Sequence, residues 1–152
     1  MLRRKQPALH WETVTDKEAS PRGMTPLLDA MVRIISLAES DNPDKAVIVV
    51  MTDGEENASQ EVKREGVKVA LDRAKAKGWE VVFLGANFDN ISDASSVGVQ
   101  GGQQMAMSAG TMDKSLASLA RKSRFYAAES APIEFNEEDR KVAKEANIKN
   151  KS

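Results

Sequence analysis

The chain has no cysteine and a single histidine, His10. Without thiols there is no disulfide framework, no thiolate nucleophile and no cysteine zinc site, and one imidazole cannot build a histidine cluster. A Ser/His/Asp triad would have to use His10, which stands outside any nucleophile elbow and reads as an ordinary surface or strand residue. An excess of charge is missing too: 22 Lys+Arg against 23 Asp+Glu leave a formal net charge of -1. That balance carries neither a nucleic-acid footprint nor an electrostatic membrane anchor. No apolar run approaches the roughly 18–20 residues of a membrane span. The basic start "MLRRKQ" leads into "PALHWETVTD", which is not the apolar core of a signal peptide. These absences point to a soluble, cytoplasmic protein with no membrane and no nucleic-acid partner.

What is present fits one domain, since 152 residues lie within the roughly 100–200 that a globular domain takes. Residues 1–22 mix charges with Pro7 and Pro21, and in "LHWETVT" Leu9, Trp11 and Thr13 share one face of an extended segment. From Thr25 the pattern turns helical. Thr25 suits an N-cap, Pro26 suits the first helical position, and Leu28, Met31, Val32 and Ile35 follow the helical stripe until Asn42 and Pro43 break it. "AVIVVM" at 46–51 has no polar alternation and is rich in β-branched residues, as in a parallel strand covered on both faces. The turn "TDGEEN" follows it. A helix is expected from about 59 to 77, with Val67, Ala70, Leu71 and Ala74 on one side and Gly78 closing it; "WEVVFLGAN" then forms a second buried strand. The strand, helix, strand order makes the two strands parallel.

Beyond Asn87, "FDNISDASSVGV" has room for a short helix, "QQMAMS" for a short last strand, and residues from Asp113 to about 128 for a helix carrying Leu116, Leu119 and Ala120. Met105 and Met107 read as core fillers, and Arg121, Lys122 and Arg124 as a solvated helix end. The stretch 131–152 is charged and poor in large apolar residues, hence a solvated helix or frayed tail.

Parallel strands deliver their carboxyl ends to one edge of a sheet, where ligands of open α/β sheets usually sit. Thr52, Asp53, Glu55, Glu56 and Asn57 follow the first strand, Asn87, Asp89 and Asn90 follow the second, and Thr25 starts the preceding helix. Oxygen donors of this kind suit a hard cation such as magnesium or manganese. The same Asp53-Gly54 pair also reads as a plain strand-to-loop turn. Other constellations are weaker. "GVQGGQQ" has neither dinucleotide-loop nor phosphate-loop spacing and reads as a flexible loop, and Asp89 with Asp93 reads as acids complementing a helix dipole.

"PRGMTPLLDAM", followed about twenty residues later by "VIVVMTDGEEN", resembles the second half of a von Willebrand factor type A domain. There a Gly-x-Thr loop opens a helix and a hydrophobic strand ends in Thr-Asp-Gly. "WEVVFLGANFDN" is similar to stand-alone versions of the domain from bacteria and bacteriophages. The resemblance spans residues 21–128. It implies an α/β fold with an open, mostly parallel sheet and helices on both faces, and a metal-ion-dependent adhesion site in which Thr25 and Asp53 hold magnesium or manganese. Glu55, Asn57, Asn87 and Asp89 are candidates for further rim contacts. The family's Asp-x-Ser-x-Ser motif is missing, because "SDASS" at 92–96 follows the second strand. The chain therefore reads as a truncated domain, residues 23–130, that lacks the first strand and leaves an apolar sheet edge in need of cover. Cover is expected from the N-terminal segment around residues 9–15, a second copy of the chain in a symmetric dimer, or a separate polypeptide carrying the missing half. The resulting expectation is a non-enzymatic protein-binding module with a protein partner at the rim or edge. Its rivals are a metal-dependent hydrolase or phosphotransfer enzyme built on Asp53, Glu55 and Glu56, and one half of a split protein.

Overall fold

The computed structural model describes residues 7–10, 12–13, 15, 26–53, 59–86 and 94–143. Its centre is a three-stranded parallel sheet in the order β1 (Val47–Thr52), β2 (Glu80–Gly85), β3 (Gln104–Ala106). β1 and β2 pair in register from Val47 opposite Glu80 to Thr52 opposite Gly85, and β2 pairs with β3 from Phe83 opposite Gln104. The central strand is apolar on both sides because helices cover both faces. Val81 and Phe83 join α1 (Leu27–Asp41) and α2 (Arg64–Ala76) in one core, while Val82 and Leu84 join Met105, Met107 and α3 (Met112–Glu129) in another. Each fully buried residue such as Phe83 or Leu84 contributes on the order of 1.5–3 kcal/mol of transfer free energy.

The helix between β1 and β2 buries Val67, Ala70, Leu71 and Ala74, the four positions expected from the sequence. Its C-terminus closes at Gly78, whose φ of +72° lies in the left-handed region that glycine enters without a Cβ penalty. α1 ends at Asn42, with φ of 44° and its N–H bonded to the Ala38 carbonyl, as expected for an asparagine cap.

Several boundaries and one whole segment differ from the sequence reading. Pro26 is the N-cap of α1 rather than its first helical residue, and its carbonyl accepts from Ala30 N at 3.0 Å. α2 begins at Arg64, not near 59, because the residues before it are engaged by Asp29, as described below. Residues 8–10 form a 3-10 turn on which Leu9 is 96% exposed, so this part of the N-terminal segment covers no sheet edge; Trp11 lies outside the described residues. "GVQGGQQ" is tied down: Gly102 O accepts from Phe135 N at 2.7 Å and Gly101 O from the Arg140 guanidinium at 2.7 Å.

The largest correction is the stretch after Pro132. Ile133, Phe135 and Ala143 are buried in the second core, and α4 (Glu137–Val142) packs against α3. Few apolar residues are present, but they are spaced to meet one surface. Asp139, 4% exposed, accepts from Ser118 Oγ, from Asn136 N at 2.9 Å and from Lys122 Nζ at 3.0 Å, with Arg121 3.5 Å away. Lys122, only 17% exposed, is therefore the partner of a buried acid, whereas Arg121 and Arg124 are solvated as expected, and all three lie within α3 and not at its end. Burial pushes the Asp139 carboxyl up, but these hydrogen bonds and the Lys122 charge outweigh it and hold the group below its ordinary value.

Candidate functional site

Parallel pairing brings the carboxyl ends of all three strands to one rim. The ladder runs one residue past the strands there, with Ala86 N on Thr52 O at 3.0 Å and Met107 N on Gly85 O at 2.8 Å. Thr52 is buried and Asp53 beyond it is exposed. Thr25, Glu55, Glu56, Asn57, Asn87, Asp89 and Asn90, the other residues expected at this rim, lie outside the described residues. Among the described residues no three acidic or imidazole side chains converge on a common point. A magnesium ion takes near-octahedral oxygen coordination, and Asp53 by itself is short of such a set.

Asp29 fixes the stretch 59–62 that leads into α2, a role the sequence signals only as an acid in a first helical turn. Its carboxylate accepts from the backbone N–H groups of Gln60 at 3.0 Å and Val62 at 2.9 Å, with Glu61 N at 3.5 Å. In return Asp29 N donates to Ser59 Oγ at 3.2 Å. The start of α1 and the stretch 59–62 thus hold each other, which explains why α2 starts late.

Next to the rim runs the outer edge of β1. Ala46 O and Thr52 O accept from β2-side amides, so the even-numbered residues of β1 point their backbone groups inward. By the alternation of a parallel ladder, the amides and carbonyls of Val47, Val49 and Met51 point outward. No strand lies beside them among the described residues. α3 covers β2 and β3 but leaves Val49 39% and Met51 44% exposed, and on the opposite face Ile34 of α1 is 43% exposed. Between α1 and this edge lies a groove of about 380 Å³ lined by Pro26, Leu27, Ala30, Met31, Ile34 and residues 49–52, with no charged side chain among them. The expected apolar edge is present, and among the described residues no strand covers it.

Among the described residues no helix is long and apolar enough to cross a membrane. Comparison of the chain with family models, with curated proteins and with solved structures finds no match. What stands is an α/β chain with a small open parallel sheet, an acidic residue at its rim and a first strand whose outer edge pairs with no other strand among the described residues.

Proposed function

We propose that the chain is a non-enzymatic protein-binding module that captures an extended strand at the β1 edge, with the Asp53 rim beside it as a second contact. One observation carries this reading: Val49 and Met51 expose both apolar side chains and outward backbone groups next to an uncharged groove. Natural edge strands are commonly protected by a charge, a proline or a bulge, and Val47–Thr52 has none of the three. Strand addition satisfies such an edge through main-chain hydrogen bonds and gains specificity from alternate side chains. The resemblance to a truncated von Willebrand A domain lends further support, since a missing first strand accounts for a bare edge. It also assigns Thr25 and Asp53 to a magnesium or manganese ion that completes a partner's carboxylate.

Cross-linking mass spectrometry on the full chain captured with its partner tests the reading. Cross-links are expected from the Lys45 end of β1, and Val49→Lys is expected to abolish them while leaving the far-UV circular dichroism spectrum unchanged. Contacts confined to the α3 and α4 side, insensitive to Val49→Lys, would overturn it.

A further inference from the structure

We infer that the strand captured at this edge is β1 of a second copy of the chain, paired antiparallel about a two-fold axis at Val49; the inference rests on the reading of the β1 edge as a binding surface. Antiparallel strands exchange two N–H···O bonds at alternate residue pairs. With Val49 on the axis, Val49 faces Val49 and Val47 faces Met51. All three outward-pointing residues then form bonded pairs, giving six hydrogen bonds from residues that pair with no second strand among the described residues. A slip of one residue sets outward groups against inward ones, and a slip of two leaves Val47 or Met51 without a bonded partner from the open stretch. The edge is therefore self-complementary in one register.

Side chains and charges agree with that register. Odd-numbered residues of β1 lie on the face of the second core, where Val47 is packed and Val49 and Met51 are exposed. Antiparallel pairing about Val49 places Val49 against its mate and Met51 against the mate's Val47, covering both exposed residues. On the other face the Ala30 and Ile34 side of α1 turns toward its symmetry mate across the uncharged groove. At the ends, Lys45 stands opposite Asp53 of the other copy twice over. The Lys45 ammonium is held by the carbonyls of Tyr126 at 3.3 Å and Ala127 at 2.8 Å, which leaves a third N–H to offer. A parallel arrangement would bring like charges together and would not close as a two-fold dimer. Two three-stranded sheets thus join into one of six strands.

The absence of native cysteine makes the register directly testable in the full chain. Val49→Cys is expected to oxidise to a disulfide-linked dimer, because Cα atoms in a bonded antiparallel pair lie about 5.5 Å apart, within disulfide range. Val47→Cys and Met51→Cys are each expected to stay reduced alone, as the two copies of either residue lie about 13 Å apart. Mixed together, these two variants should cross-link. In sedimentation equilibrium the wild type is expected as a dimer, and Val49→Lys should raise its dissociation constant roughly a hundredfold by setting two desolvated like charges on the axis. A disulfide formed by Val47→Cys alone, or a wild type that stays monomeric at its highest soluble concentration, would overturn the inference. A monomer whose β1 edge still cross-links to another protein would overturn it while leaving the binding-module reading in place; a monomer with no contact at the edge would overturn both.

Discussion

Asp139 sets the terms on which the last described helix is held. Its carboxylate closes a capping box with Asn136 and meets Ser118 and Lys122 on α3. One acid therefore joins two elements through three groups. Because its folded pKa lies below the ordinary value, the group contributes stability that is complete above about pH 3.9 and is lost as pH falls through the lower folded value. Asp139→Asn keeps the shape and much of the capping but removes the charge. It is expected to cost about 1–3 kcal/mol at neutral pH. Melting curves of the two proteins should converge as the pH drops below about 4; a constant gap down to pH 2 would show that the charge contributes nothing. Sequence reading missed this residue because an acid in "NEEDRK" looks like any other acid of a solvated helix start. Only the placement of Ser118 and Lys122 on α3 distinguishes it.

At the scale of elements, α3 is anchored at its C-terminal end by contacts that cross the chain. Tyr126 donates its hydroxyl to Gly78 O at 2.6 Å, at the turn where α2 hands over to β2, and Lys45 caps the neighbouring carbonyls. Tyr126→Phe leaves the ring in the second core but strips the Gly78 carbonyl of this donor, at an expected cost of about 1–2 kcal/mol measured by urea denaturation. An unchanged midpoint would place the stability of α3 in its apolar face alone. The Glu39–Arg73 pair between α1 and α2 is half exposed on the arginine side and should add less than about 1 kcal/mol. The elements themselves were largely legible. β1 and β2 stood out because their apolar runs carry no alternation, and α2 because its stripe recurs at helical spacing. β3 is only three residues long, yet Met105 and Met107 marked it as core. The packing of Ile133 and Phe135 was not legible, since two apolar residues among charges carry no period. Of the site, the open β1 edge was expected; the Asp29 latch was not, because its partners are backbone amides that no side-chain pattern announces.

For the molecule as a whole, Asp53 belongs to the rim and also ends the paired edge, and a melting experiment isolates its part in holding a cation. A ligand that binds only the folded state stabilises it by about 2.7 kcal/mol at a hundred times its dissociation constant, which in a domain of this size shifts the midpoint by several degrees. The cation part of the proposal requires such a rise with magnesium or manganese in wild type and none in Asp53→Ala. A flat response in both proteins would remove the cation and leave the strand edge as the binding surface. The sheet has a core on each face, and the two differ in how they are assembled along the chain. The first is built from residues 27–99, whereas the second gathers Val82 and Leu84 with Ile133, Phe135 and Ala143. During synthesis the α1 and α2 side has all its apolar residues once residue 99 has left the ribosome. The opposite face of the same strands stays exposed for more than forty further residues, about two to nine seconds at roughly 5–20 residues per second. A nascent chain in that interval shows an uncovered sheet face as well as an open strand edge, so for this protein the hazard of misassociation lies in the time before residue 143 arrives.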